Sequence, residues 1–285
     1  MRQDSGPLGP PGRSDQSVGL LPFGRIVLSV EEVRHLWSFV HGDIMASGIR
    51  VRLRESLGLC PRHTWAYAAV EIELWLTGAG RRGGHQPFDV SVLYEDLLGR
   101  VAAGLARPAT VLHRHPESIL VPRGSCPICA ELVPVEVSGP RLGYAASNSA
   151  ALTVEANTLE YTTRWCRETV GEWGGRVCPD CRKLAGDATD AAPGEDAWLC
   201  RVHLLVRGLP PEGLLPRVVE HLLDVRERLQ RLNASMTVSG APAAPADDAS
   251  WSEALGFFAG WALPLYLADQ PIHEVQQPKG PRSHD

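Results

Sequence analysis

The sequence predicts a mostly helical protein, a helical bundle of two related units with zinc-knuckle-like Cys/His turns. Apolar residues recur at helical spacing along several long segments, whereas the β-leaning runs 24–30 and 132–137 are short and do not alternate cleanly. Four pairs, each of two cysteines or of a cysteine and a histidine, stand three positions apart. The helical spacing therefore predicts the bundle, and the paired residues predict the turns.

Two helix starts carry the same signal. Ser29 with Glu32, and Ser250 with Glu253, each place a hydroxyl three residues before a carboxylate and ahead of apolar residues. This spacing is typical of a capping box, in which each side chain binds the backbone N–H group of the other residue. It predicts a helix directly after Ser29 and a C-terminal helix over 250–268.

The most apolar segment, residues 63–76, predicts a largely buried helix. Its residues are apolar on nearly every side, and only Glu71 and Glu73 interrupt them. Residues 89–106 predict another helix, with Asp89 as its N-cap.

Two further helices are predicted by an apolar stripe, one over 152–170 and one over 216–232. Cys166 falls on the first stripe, which favours a buried thiol over a metal ligand. In the second helix, Asp224 and Arg228 are spaced for an ion pair on the outer surface.

The breaks between these segments predict the domain organisation. A weak internal echo supports two units, because 58–69 and 197–208 both place an apolar residue before Cys-x-x-His and a helical apolar run after it. The predicted parts are a disordered tail (1–20), an N-terminal helical unit (21–122), a second helical unit (123–235) with a zinc module (178–203), a linker (236–249), the C-terminal helix (250–268) and a second disordered tail (269–285).

Composition limits the classes of protein that the chain can belong to. Its 285 residues carry a formal net charge of −5, so there is no overall positive field to attract nucleic acid. The start has no apolar signal-peptide core, and the most membrane-like stretch, 254–268, is short and contains Pro264. We therefore predict a cytoplasmic protein without a membrane span. In a reducing compartment, spaced cysteines are more often metal ligands or redox thiols than disulfides.

The strongest motif is a C-x2-C-x18-C-x2-H arrangement formed by Cys178, Cys181, Cys200 and His203. A Cys-x-x-Cys turn places two sulfurs on one side of a tight loop, and Cys-x-x-His at a helix start does the same for a sulfur and an imidazole. Two such halves can complete a tetrahedral Zn²⁺ site. The polar segment 187–197 between them has too few apolar residues to fold on its own, so the metal would shape it.

Two other pairs supply four more candidate ligands, Cys60 with His63 and Cys126 with Cys129, so the chain can bind one or two zinc ions. A long helical stretch separates these pairs, and the sequence leaves open whether they share one ion. A crossed arrangement, in which Cys126 and Cys129 join the last Cys-x-x-His pair, is also open.

The sequence contains no phosphate loop, nucleotide fingerprint or nucleophile–base set, so it predicts structural zinc in a binding or regulatory protein rather than catalysis. One alternative is a thiol-based redox sensor or oxidoreductase using the CPxC motifs, in which oxidation releases zinc and loosens 178–203. Another is a nucleic-acid-binding zinc module built on Arg50, Arg52, Arg54 and Arg62. Their spacing spreads them around a helix, which favours a solvated face. The partner stays open and includes another protein or a second copy of the chain.

The motifs resemble a family of bacterial proteins classed as a domain of unknown function. That family's pattern is a CPxC at a helix start, a later GLCxxH and a helix containing LYEDLL, with the unit repeated. The resemblance extends loosely over most of 21–230, and its specific matches are 55–69, 92–101, 126–131 and 198–205.

This chain departs from the family's pattern in two places. LPFG stands at 21–24 where the first CPxC is expected, and the CPDC at 178–181 is an addition. The resemblance implies zinc binding and a helical fold but no known reaction. It also implies that Cys60 and His63 lack their usual partners, so they either recruit a displaced pair or have lost their metal.

Overall fold

The computed structural model describes residues 26–42, 44, 46–78, 87–107, 117–132, 149–186, 198–208, 215–237 and 239–270. The predicted tail 1–20, the LPFG segment 21–24, the polar segment 187–197 and residues 271–285 of the second predicted tail lie outside these residues. What the sequence predicts for those segments therefore stays a prediction.

Within the described residues the chain forms helices and no strand, which confirms the mostly helical class and fits a helical bundle. The α-helices are α1 (Val30–Val40), α2 (Ser47–Glu55), α3 (Pro61–Gly78), α4 (Phe88–Leu105), α5 (Glu117–Leu120), α6 (Pro127–Leu132), α7 (Ser149–Ala156), α8 (Glu160–Trp173), α9 (Pro179–Leu184), α10 (Arg201–Arg207), α11 (Leu215–Ser235), α12 (Pro245–Asp248), α13 (Ser250–Ala259) and α14 (Ala262–Asp269).

Helix α3 lies at the centre of the bundle, and it is largely buried, as the apolar sequence of 63–76 predicts. Helices α1, α4, α7, α8 and α13 all pack against it. Every residue from Trp65 to Leu74 is at most 5% exposed. A helix that neighbours cover on all sides needs apolar side chains around its whole circumference, which explains why this segment shows no polar face.

Two buried carboxylates of α3 bind the starts of two later helices. Glu71 accepts hydrogen bonds from the backbone N–H groups of Asp89 (2.8 Å) and Val90 (3.1 Å) in the first turn of α4. Glu73 accepts the backbone N–H (2.8 Å) and the hydroxyl (2.7 Å) of Thr162 in the first turn of α8. The first N–H groups of a helix have no intrahelical acceptor, and these carboxylates provide one. The prediction that Asp89 caps α4 is wrong, because α4 begins before it.

The two predicted capping boxes have different outcomes. At α1 the box is present: the hydroxyl oxygen of Ser29 accepts the N–H of Glu32 (3.2 Å), and the Glu32 carboxylate accepts the N–H of Ser29 (2.7 Å). At α13 it is absent, because Ser250 already lies inside the helix and donates to the carbonyl of Asp247 (2.6 Å). The carboxylate of Glu253 binds arginines from other elements instead.

Two segments predicted as single helices are each divided. The segment 152–170 breaks at Leu159, whose φ of 52° is left-handed, between α7 and α8. The segment 250–268 breaks at Gly260, with a φ of 77°, between α13 and α14. An apolar pattern that continues on both sides of a turn hides such a break. In the described part of the chain, no helix has the length and apolarity that crossing a bilayer requires.

Helix α11 packs along α4 and against α13 with its predicted apolar stripe buried. The predicted ion pair between Asp224 and Arg228 is present at 2.9 Å, but only 5% of the Arg228 side chain is exposed. The prediction of an outer-surface pair is therefore wrong for Arg228, whose guanidinium binds the Glu253 carboxylate through two bonds of 2.6 and 2.8 Å. Arg176 also binds Glu253, which ties the segment before Cys178 to α13.

Candidate metal centres

The structure brings the eight candidate ligands together as two groups of four. Within each group the donor atoms lie within 4.8 Å of one another, so each group can hold a metal ion. The crossed arrangement is not adopted. We call the groups cluster 1, formed by Cys60, His63, Cys126 and Cys129, and cluster 2, formed by Cys178, Cys181, Cys200 and His203.

In cluster 1 the Nδ1 atom of His63 faces all three sulfurs. It lies 3.2 Å from Sγ of Cys60, 3.6 Å from Sγ of Cys126 and 3.3 Å from Sγ of Cys129. The sulfurs of Cys60 and Cys129 are 3.8 Å apart. Cys126 is buried, Cys60 is half-buried and Cys129 is exposed. One side of cluster 1 therefore faces solvent.

Cluster 2 repeats this geometry in an enclosed place. The Nδ1 atom of His203 lies 3.3 Å from Sγ of Cys178, 3.5 Å from Sγ of Cys181 and 3.1 Å from Sγ of Cys200. The sulfurs of Cys181 and Cys200 are 3.8 Å apart. The three cysteines are 0%, 6% and 2% exposed, in chain order, so water reaches them less than it reaches Cys60 and Cys129 of cluster 1.

These separations match a tetrahedral metal site. With sulfur about 2.3 Å and nitrogen about 2.0–2.1 Å from a zinc ion, a tetrahedron separates two sulfurs by about 3.8 Å and a sulfur from a nitrogen by about 3.6 Å. Both sulfur pairs lie at that separation, and the sulfur–nitrogen distances of 3.1–3.6 Å lie at or slightly inside it. Disulfides would instead place two sulfurs about 2.05 Å apart. All seven cysteines are free thiols.

All four pairs are built in the same way, at the first turn of a helix. In each, the carbonyl of the first cysteine accepts the first helical N–H, which makes that cysteine the N-cap. The second metal-binding residue of the pair, three positions later, then lies on the same face of the helix. The bonds are from Thr64 to Cys60 (2.8 Å), from Ala130 to Cys126 (3.0 Å), from Arg182 to Cys178 (3.1 Å) and from Leu204 to Cys200 (2.9 Å).

Each cluster combines one Cys-x-x-His pair with one Cys-x-x-Cys pair, but the two pairs occur in opposite order along the chain. Cluster 1 takes its Cys-x-x-His from the start of α3 and its later Cys-x-x-Cys from the start of α6. Cluster 2 takes its Cys-x-x-Cys from the start of α9 and its later Cys-x-x-His from the start of α10. Cluster 1 consequently joins the predicted N-terminal unit to the predicted second unit, whereas cluster 2 lies within the predicted zinc module.

The histidine of cluster 1 is oriented by a carboxylate from α1. The Nε2 atom of His63 lies 3.1 Å from Oε1 of Glu32. Because Nδ1 faces the sulfurs, the ring proton belongs on Nε2, where it donates to that carboxylate. Arg62 also donates to Glu32, at 2.7 and 3.1 Å. Burial alone would raise the pKa of Glu32, but hydrogen bonds from Arg62 and Ser29 outweigh it and lower the pKa to about 2. Glu32 is therefore a carboxylate that fixes the imidazole.

The turn before Cys60 is supported by a tyrosine of the LYEDLL segment. The hydroxyl of Tyr94 accepts the N–H of Leu59 at 3.4 Å and lies 2.7 Å from the hydroxyl of Thr64. Gly58 has a φ of 89°, and a side-chain carbon added there would lie 2.8 Å from the Tyr94 hydroxyl. The left-handed backbone and the close approach both require glycine at this position.

Cluster 2 is tied to α13 by the residue that follows Cys200. The buried guanidinium of Arg201 donates to the carbonyl of Phe258 at 3.2 and 3.3 Å and to the carbonyl of Leu120 at 3.1 Å. These carbonyls lie near the C-terminal ends of α13 and α5, where the negative end of the helix dipole attracts a cation. Arg201 therefore fixes the start of α10 against two neighbouring helices.

The turn between α13 and α14 covers cluster 2. A side-chain carbon added to Gly260 would lie 3.6 Å from Sγ of Cys181. The indole N–H of Trp65 donates to the carbonyl of Gly260 at 2.9 Å. Trp65 and His63 are two residues apart in α3. That helix therefore supplies a metal-binding imidazole to cluster 1 and supports the turn that covers cluster 2.

Crowding separates the thiol pKa values within each cluster. A hydrogen bond from Cys60 lowers the pKa of Cys126 to about 4. Hydrogen bonds from Cys181 and Cys200 hold the pKa of Cys178 far below its usual value, whereas the bond to Cys178 raises the pKa of Cys200 to about 12. Negative charge on one sulfur opposes ionisation of its neighbours. A divalent cation would relieve this repulsion between thiolates, because it compensates the negative charge on all three sulfurs.

The arginines that suggested a nucleic-acid surface each bind a carboxylate. Arg54 binds Asp96 at 3.1 Å and Arg50 lies 3.9 Å from the same carboxylate. Arg52 binds Glu131 at 3.2 Å, and Arg62 binds Glu32. These four arginines share three carboxylates, which compensate part of their positive charge and do not favour a row of phosphate contacts.

Comparison with known proteins adds no relative: no family model, no curated protein and no solved structure matches the chain. Cys166 lies apart from both clusters, buried in α8, and burial raises the pKa of its thiol well above the usual range. Sequence reasoning missed the supporting residues Tyr94 and Arg201, whose roles depend on distant contacts. It found Glu32 only as a helix cap.

Proposed function

We propose that the protein binds two zinc ions, one in each cluster, and that it acts as a binding or regulatory protein rather than an enzyme. The observation that supports this most strongly is the pair of donor sets, each with three thiols and one imidazole at tetrahedral separations. Thiolate and imidazole donors suit zinc, whereas magnesium and calcium require oxygen ligands. Cys60, His63, Cys126 and Cys129 would hold one ion, and Cys178, Cys181, Cys200 and His203 the other.

The donor count supports a structural role for the metal. Catalytic zinc typically keeps one position for water or substrate, whereas each cluster offers four protein donors. The bound metal supplies a cross-link between helix starts. The short helices α6 and α9 each contain six residues. Isolated helices of that length are not stable in water, so the cross-link and its packing would keep them folded.

The same chemistry supports a reducing location. Cysteine ligands must be thiolates, and oxidising compartments convert paired thiols into disulfides. All seven cysteines are free. We therefore place the protein in the cytoplasm as part of this proposal.

Metal analysis of protein purified without added metal tests the proposal. We expect two zinc ions per chain, with Cys60→Ser and Cys200→Ser each losing one of them. Cys166→Ser, which removes the buried thiol outside both clusters, is the matched control and should keep two. Less than half an equivalent of zinc in the wild-type chain, with every thiol freely titratable, would overturn the proposal.

A further inference from the structure

The two clusters share their donor geometry but differ in access. In cluster 2 the three cysteines are at most 6% exposed, and the turn at Gly260 covers them. In cluster 1, Cys129 is exposed and Cys60 is half-buried. Oxidation of a cysteine requires that the oxidant reach its sulfur, so susceptibility follows exposure among thiolates of similar character.

The exposed sulfur of cluster 1 also has a partner close by. Sγ of Cys129 lies 3.8 Å from Sγ of Cys60, the less buried of the other two cysteines in the cluster. A disulfide requires these atoms to approach to about 2.05 Å. Cys129 belongs to α6, which has six residues, whereas Cys60 directly precedes the 18-residue central helix α3. The approach can therefore occur by a shift of α6 while the central helix α3 stays in place.

We propose that cluster 1 is an oxidation site for hydrogen peroxide, and that Cys129 and Cys60 form a disulfide there while cluster 2 stays intact. The Cys129 thiolate attacks one oxygen of the peroxide, the O–O bond breaks, and sulfenic acid and hydroxide form. The Cys60 thiolate then attacks the sulfenic sulfur and expels a second hydroxide. Two cysteines lose two electrons in total, one peroxide is reduced, and two protons from solvent convert the hydroxides to water.

This inference rests on the proposed function for its consequence, the loss of one zinc ion. A disulfide between Cys60 and Cys129 removes two of the four donors of cluster 1, and two donors cannot hold zinc tightly. We then expect α6 to loosen, because the metal no longer joins its start to the start of α3. The redox alternative drawn from the sequence placed the release at 178–203, but the buried sulfurs of cluster 2 make that segment the resistant one.

The test treats the zinc-loaded full chain with increasing hydrogen peroxide while a metallochromic indicator reports released zinc. At each step, thiols are alkylated and disulfides are mapped by mass spectrometry. We expect release to stop at one zinc per chain, with the Cys60–Cys129 disulfide formed and Cys178, Cys181 and Cys200 still alkylated. Cys129→Ser, which lacks a donor of cluster 1, should start with the single zinc of cluster 2 and release none of it under the same treatment, whereas Cys166→Ser should behave as wild type.

Each outcome distinguishes the two proposals. Joint release of both ions, or a first disulfide among the cysteines of cluster 2, overturns the inference while leaving zinc binding intact. A first disulfide between Cys126 and Cys129 overturns the role of Cys60. Should the chain carry no zinc, the proposed function fails, yet the mapped order of oxidation still decides whether cluster 1 reacts first. The wild-type mapping alone is decisive if Cys129→Ser does not fold.

Discussion

The Nε2 atom of His63 lies 3.1 Å from Oε1 of Glu32, so a single carboxylate both caps α1 and orients an imidazole of cluster 1. Glu32 also binds Arg62, which makes it the meeting point of α1 and the start of α3. The capping box therefore does more than begin α1, because its carboxylate also orients the imidazole of His63. It fixes which ring nitrogen faces the sulfurs.

Replacement of Glu32 by glutamine should weaken metal binding at cluster 1. The amide keeps the shape of the side chain but loses the charge that strengthens the bond from His63, and loss of such outer partners typically lowers metal affinity by about 10–100-fold. Zinc affinity can be measured by competition with a chelator. Glu31→Gln is the matched control, because Glu31 is an exposed neighbour that forms a surface ion pair with Arg34. Equal affinities for the two variants would contradict the role of Glu32.

Removal of zinc should unfold the short helices before the long ones. Helices α6 and α9 contain six residues each, whereas α4 and α11 pack along each other and belong to the apolar core. Hydrogen exchange with and without a chelator checks this expectation. Amides of α6 and α9 should lose protection while those of α4 and α11 keep most of theirs. Uniform loss along the chain would show that the metals hold the whole bundle together.

Substitution of Gly58 by alanine should destabilise the turn that leads into cluster 1. Its φ of 89° costs an L residue about 1–2 kcal/mol, and the added carbon would lie 2.8 Å from the Tyr94 hydroxyl. Gly171→Ala is the opposite control, since Gly171 is exposed in α8 with open space around it. There, alanine should stabilise by about 0.5–1 kcal/mol. Chemical denaturation of both variants in excess zinc measures the difference, and equal effects would be inconsistent with a strained turn.

The stability of the fold should fall with rising pH because of Glu71. Burial, and then the nearby charge of Asp89, raise the pKa of Glu71 from 4.5 to about 8 in the folded protein. The folded state therefore retains a proton that the unfolded chain releases, and the stabilisation present below pH 4.5 is lost as pH rises towards about 8.

A comparison of variants isolates this contribution from the pH dependence of zinc binding. The free energy of unfolding of the zinc-loaded protein should decline more steeply between pH 5 and 8 for wild type than for Glu71→Gln. Glu168→Gln, an exposed site on α8, should follow wild type. Parallel curves for all three proteins would contradict the assignment.

The sequence predicted the helical class, the buried central helix and the grouping of Cys178, Cys181, Cys200 and His203, because these depend on local spacing. It left the partner of the Cys60/His63 pair open, since Cys126 approaches only through the packing of α6 on α1 and α2. The breaks at Leu159 and Gly260 were missed because left-handed residues can interrupt an apolar stripe without changing its composition.

The errors at helix starts have one physical cause. Local capping patterns assume that the cap comes from the preceding residues, which is correct at Ser29. At α4, where Asp89 was the predicted cap, the acceptor is instead Glu71 of helix α3. At Ser250 the matching carboxylate, Glu253, is taken by Arg228 from α11. A single sequence does not show such competition between distant partners.

The span of cluster 1 has a consequence for the dissection of this protein. A chain cut at residue 122 would leave Cys60 and His63 on one fragment and Cys126 and Cys129 on the other, with cluster 2 whole on the second fragment. Neither fragment could complete the first coordination set by itself. Zinc would then be needed for two separately produced fragments to associate, because each fragment supplies two of the four ligands of cluster 1.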